Sequence, residues 1–99
     1  MNTQRTSLFL MANLGAEVSR IFSAKEAIDE KRVKESFERA QKIIEELMTI
    51  PDMKTRKVEV DLLREAILSA TKLDNNSDSS KKNLMTYFTP FALRLMNTN

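Results

Sequence analysis

The sequence has no cysteine, no histidine and no tryptophan, and a single glycine among its 99 residues. Each absence closes a class of function. Without cysteine there are neither disulfides nor thiolate metal ligands, which suits a reducing compartment. Without histidine the chain loses the usual general acid/base, the usual activator of a nucleophilic serine, and the imidazole ligands of zinc and non-haem iron. A helical ribonuclease that relies on an Arg…His motif is excluded for the same reason. One glycine builds neither a P-loop nor a dinucleotide-binding turn, and no Gly-rich nucleophile elbow is present. No stretch approaches the roughly 20 apolar residues that cross a bilayer. The run Leu8-Phe9-Leu10-Met11-Ala12 is too short for a signal-peptide core. The expectation is a soluble, untargeted, cytoplasmic chain without catalysis, metal or cofactor.

What remains is helix-forming. Hydrophobic residues make up 41% and charged residues 30%, with two prolines as the only other strong breakers. The length fits one domain, residues 1–99, with a core that needs no staples. The formal charge is +2, a weaker bias than nucleic-acid binders usually carry.

Four amphipathic segments follow from periodicity. Leu8, Met11, Leu14, Val18, Ile21 and Phe22 step by threes and fours, predicting a helix from a cap near Ser7 to about Ala27. Phe9 and Leu10 fall off that stripe, so this end is apolar nearly all round. Gly15 sits inside the pattern, where glycine costs about 1 kcal/mol against alanine. It implies a close helix–helix approach or a local break. Asp29 is the expected cap of a second helix to about Met48, with Val33, Phe37, Ala40, Ile44 and Leu47 as its inner face. Its outer face pairs Glu30 with Lys34, Glu35 with Arg39 and Glu38 with Lys42, the favourable acid-first order.

Pro51 ends that helix or opens a short turn. A third helix is predicted from about Met53 or Thr55 to Lys72, with Val60, Leu63, Ile67 and Ala70 inward and Leu62, Ala66 and Leu73 beside them. The polar run from Asp74 to Ser80 reads as a loop. Ser80 is then the expected cap of a fourth helix from Lys81 to about Met96, kinked or split at Pro90. Four such helices with short links predict an all-α, antiparallel four-helix bundle. The variant is a three-helix bundle with a kinked C-terminal helix packed across it.

Residues 14–48 carry a family likeness. Ala27-Ile28-Asp29-Glu30, followed by Val33, Phe37 and Ala40, resembles the second half of a tetratricopeptide hairpin, in which a small residue, an aromatic four on and an alanine three further line the second helix. Val33 stands where alanine is usual, and Ile28 where glycine is typical. The three-helix MIT domain has a similar hairpin. The resemblance covers about a third of the chain, with no second copy at the repeat period. It implies a protein-binding module.

Two surfaces compete for function. Tyr87, Phe88, Phe91 and Leu95 lie in a segment that is apolar on more than one face, with Arg94 its only charge. Aromatic and Met residues are enriched in interface cores, so this segment is either core or a surface for a protein partner or a second copy. Lys54, Arg56, Lys57, Lys81 and Lys82 form the alternative, a modest basic surface for an anion or nucleic acid. Glu59, Asp61 and Glu65 follow closely and would repel a phosphate backbone. Glu45 and Glu46 point about 100° apart on a helix and lack the histidines of a di-metal bundle. A small apolar ligand held between helices is a third possibility. The reading is a small protein-interaction or self-association module.

Overall fold

A computed structural model describes residues 6–72 and 78–96, with the side chains of residues 78–80 and of Leu95 outside the description. It contains five helices among the described residues: α1 (Ser7–Glu26), α2 (Glu30–Leu47), α3 (Pro51–Lys54), α4 (Lys57–Ala70) and α5 (Asp78–Met96). The chain is a small all-α helical bundle.

Local chemistry sets most boundaries. The cap of α1 is Thr6, not Ser7: Thr6 is extended and its Oγ1 accepts from the Phe9 amide at 3.1 Å. Ser7 is instead the first helical residue, and its hydroxyl donates to Asp52 at 3.3 Å. Asp29 caps α2 as expected, accepting from the Arg32 amide at 3.1 Å. Between them the chain turns in a Schellman motif. The Asp29 amide donates to the Ala24 carbonyl and the Ile28 amide to the Lys25 carbonyl, both at 2.9 Å. This motif needs one left-handed residue, and Ile28 takes that role at φ 52°.

The third predicted helix is two pieces. Pro51 occupies the first position of the single-turn α3, where its missing N–H is no loss. The chain breaks at Thr55–Arg56 before α4 begins. The fourth begins three residues earlier than predicted, so Ser80 lies inside α5 rather than at its cap. Pro90 does not split α5, which runs unbroken past it. One turn of backbone there is tied by the Thr89 hydroxyl, which donates to the Met85 carbonyl at 2.7 Å. Of the predicted loop, residues 74–77 lie outside the described residues, as does Leu73.

The long helices alternate in direction along the chain. The Schellman turn folds α2 back on α1, and Arg39 on α2 reaches Glu17 on α1 at 3.0 Å. Along α1, Gly15 meets Phe88 while Glu26 meets Lys81, so α5 runs opposite to α1. On α4, Glu59 meets Tyr87 while Ser69 lies beside Asn83, so α4 and α5 are also antiparallel.

Helix α1 is the hub, packed on α2, α5 and α4. That is why its N-terminal half is apolar almost all round: Leu10, Met11 and Leu14 are essentially sealed from solvent there, as are Val18 and Ile21 further along. Leu10 is core, while Phe9 stays at the surface with 36% exposure. On α2 the stripe Val33, Ala40, Ile44 and Leu47 is buried and Phe37 half-buried. Arg39, expected to pair with Glu35, instead joins Arg20 around the nearly buried carboxylate of Glu17. Gly15 marks a close approach, not a break: a Cβ there would lie 2.8 Å from Phe88 Cβ.

Candidate functional site

Helix α4 carries two apolar stripes, and the bundle uses one. Val60, Leu63, Ile67 and Ala70 turn inward and are buried. Val58, Leu62, Ala66 and Ser69, at spacings of four, four and three, lie on the outer side. Val58 is 74% exposed and Leu62 67%. Between this outer stripe and α5 lies a groove. The groove has a volume of about 570 Å³ and is lined mainly by Val58, Leu62, Leu63, Ala66, Leu84 and Tyr87. Asn83 and Ser69 close one end.

The other end is a polar latch. Arg56 Nε donates to Glu59 Oε1 at 3.0 Å and Arg56 Nη2 to Glu59 Oε2 at 2.5 Å, a two-pronged pair. The Tyr87 hydroxyl donates to the same Glu59 carboxylate and so ties α5 to the start of α4. The three groups tune one another. Hydrogen bonds from Arg56 and then from Tyr87 hold the Glu59 carboxyl below its ordinary range. The hydrogen bond to Glu59 raises the Arg56 guanidinium further. Burial, reinforced by the neighbouring carboxylate, pushes the Tyr87 phenol up to about 12. At neutral pH the latch therefore holds an ionised Glu59 between a cation and a neutral phenol. Its lone pairs and donors are largely spent on one another, which makes it a positioning device.

Three of the four residues of the predicted aromatic surface touch one another, but they do not form one exposed face. Phe88 is core, 3% exposed and pressed on Gly15. Tyr87 is half-buried and lines the groove, edge-on to Phe88 with ring centroids 5.2 Å apart. Phe91 is half-buried too, tilted against Tyr87 at 5.5 Å with the Arg94 guanidinium 5.8 Å from its ring centroid. The side chain of Leu95 lies outside the description.

The predicted basic surface is largely neutralised. Arg56 serves the latch, Lys57 pairs with Asp61 at 2.7 Å, and Lys81 pairs with Glu26 at 3.2 Å. Lys54 and Lys82 are exposed and lie on different helices. Among the described residues no group of three or more acidic side chains is placed to hold a metal ion. No helix among them is long and apolar enough to cross a membrane.

The groove residues that sequence reading passed over are Val58 and Leu62. Their signal was the second row at 58, 62 and 66, one helical face away from the core stripe. Leu62 and Ala66 read as widening that stripe, a role that packing alone decides. Compared with known proteins, the chain matches no family, no curated protein and no solved structure.

Proposed function

We propose that this chain is a protein-interaction module whose α4–α5 groove receives an amphipathic helix of another protein. The observation that carries the reading is the outer stripe of α4: two large apolar side chains, Val58 and Leu62, held in water on a folded helix beside an apolar trough. Isolated exposed leucines are ordinary on protein surfaces, but a row of apolar residues beside a groove marks an interaction site. Burying Val58 and Leu62 contributes about 1.5–3 kcal/mol each. From Val58 to Ser69 the groove runs about 16 Å, at about 1.5 Å per residue. That length suits three turns of a helix docked through anchors at i, i+4 and i+7.

The polar edges support the same use. Asn83 offers hydrogen-bonding groups at the rim of an apolar floor, the usual make-up of a specific interface. The nucleic-acid reading draws less support, because three of its five cations are engaged by acids within the protein.

Affinity capture from native lysate tests this. The full chain, its Leu62→Glu variant and a nuclease-treated control are compared. The expected result is a stoichiometric protein retained by the parent chain, lost with Leu62→Glu and indifferent to nuclease. Retention by the variant, or release by nuclease, overturns it.

A further inference from the structure

A second concave site lies in the seam between α1 and α2 and shares no residue with the α4–α5 groove. From α1 come Asn13, Glu17 and Arg20, at spacings of four and three and so on one helical face. From α2 come Arg39, Lys42 and Ile43, at spacings of three and one. With Ala16 they line a cleft of about 360 Å³.

At its centre the Glu17 carboxylate, its side chain only 10% exposed, holds both arginines. Arg20 Nη1 donates to Glu17 Oε2 at 2.9 Å, and Arg39 Nε to Oε1 at 3.0 Å. Arg39 Nη2 also donates to the buried Ser36 hydroxyl at 3.1 Å. Two contacts on two edges fix the plane of the Arg39 guanidinium. Its remaining donors, those of Arg20 and the Lys42 ammonium have no partner among the described residues. Three acids border the cleft on α2, Glu35, Glu38 and Glu46, and none of them forms an ion pair with Arg39 or Lys42.

We propose that this cleft binds the phosphoryl group of a small phosphate monoester. Charge is the first argument. Three cations and one carboxylate line the cleft, so two positive charges remain once Glu17 is counted, matching a dianion. Geometry is the second. A guanidinium presents parallel donors that suit phosphate oxygens. One already held by Glu17 and Ser36 loses little further freedom on binding. Composition is the third. Ala16 and Ile43 supply an apolar part of the wall beside the cations, where the carbon portion of a monoester rests and bare phosphate gains nothing. The bordering acids lower the field around the cleft without occupying its donors, so the binding is reversible and weakens with added salt.

Titration of phenyl phosphate, inorganic phosphate and phenol into the isotope-labelled full chain, at fixed ionic strength, tests this. Backbone amide and arginine Nε–H resonances are followed, and circular dichroism checks that each variant is folded. Phenyl phosphate is expected to give saturable shifts at Asn13, Arg20, Arg39 and Lys42. Inorganic phosphate shifts the same residues with lower affinity, and phenol shifts none. Lys42→Gln, which removes an unpaired surface charge, is expected to weaken binding about threefold. Arg39→Lys keeps the charge and loses the fork, and is expected to weaken it about tenfold. Leu62→Glu leaves it unchanged. Absence of saturation, shifts spread equally over exposed cations such as Lys54 and Lys82, or parental affinity in both Lys42→Gln and a folded Arg39→Lys chain overturns the inference. Equal affinity for inorganic phosphate and phenyl phosphate overturns its monoester part.

Discussion

Gly15 and Phe88 are in direct van der Waals contact across α1 and α5, and the space between them excludes even one methyl group. A Cβ on Gly15 would lie 2.8 Å from Phe88 Cβ and 2.9 Å from its Cγ. The atom met first belongs to the rigid base of the Phe88 side chain, so rotation of the ring does not relieve it. Gly15→Ala gains about 1 kcal/mol of helix propensity but forces the two helices apart, and overpacking of this kind costs about 1–3 kcal/mol. The expected net effect is a loss of stability, read as a lower midpoint in chemical denaturation. A midpoint equal to or above the parent's would mean that α1 and α5 do not meet here.

Ile28 is in the wrong residue class for its backbone. It sits at φ 52° as the left-handed residue of the turn between α1 and α2, and its side chain is 78% exposed. A β-branched residue is strained in that region, by about 1–2 kcal/mol, and packing returns little at such exposure. Ile28→Gly is expected to raise stability by about 1 kcal/mol, part of the gain being offset by glycine's freedom in the unfolded chain. Thermal unfolding checks this directly, and a lower melting temperature contradicts it.

Adjacent leucines on α4 should separate stability from recognition. Leu63 is 7% exposed and Leu62 67%. Leu63→Ala empties core volume and is expected to cost about 2–5 kcal/mol. Leu62→Ala, on the surface, is expected to change stability by less than about 0.5 kcal/mol while reducing partner capture. Denaturation and capture measured on both variants check the pair. Equal stability losses would place Leu62 in the core.

The latch makes a pH prediction at both ends of the scale. The folded protein holds Glu59 below its ordinary value of 4.5. Its contribution is therefore present above that value and is lost as pH falls through the lower folded one. Tyr87 is raised from 10.0 to about 12. Its contribution is complete below pH 10 and is lost as pH rises through about 12. Tyr87 is the only tyrosine and there is no tryptophan, so tyrosinate absorbance follows this one group. The folded chain should titrate near 12 and the denatured chain near 10. Tyr87→Phe is expected to lower stability by about 1 kcal/mol and to abolish the alkaline loss.

Much of this fold is written in local chemistry. The 3.6-residue period marks each long helix, Asp29 announces a cap and Pro51 the end of the helix before it, because each acts on its own neighbours. Gly15 signals a close approach for the same reason: a missing side chain in a periodic apolar run needs a neighbour to justify it. What stayed hidden depends on distant partners. The break at Thr55–Arg56 has no glycine or proline to mark it. Whether Phe88 is core or surface turns on Gly15, 73 positions earlier in the chain. The groove was least legible, since Leu62 and Leu63 are identical in kind and adjacent in sequence. They point about 100° apart on α4, and only the way α4 packs decides which one enters the core and which meets water. Arg39 likewise has Glu35 at the favourable local spacing and still turns to Glu17, a half-buried partnership across helices that periodicity does not reveal.

The central claim is that the groove between α4 and α5 is the surface at which a partner docks. The most direct test is to titrate the captured partner into isotope-labelled chain and follow the backbone amide resonances. The account predicts saturable shifts concentrated on Val58, Leu62, Ala66, Asn83 and Tyr87, and their disappearance in a folded Leu62→Glu variant. Shifts centred on the outer face of α2, or binding that survives Leu62→Glu unchanged, would contradict it.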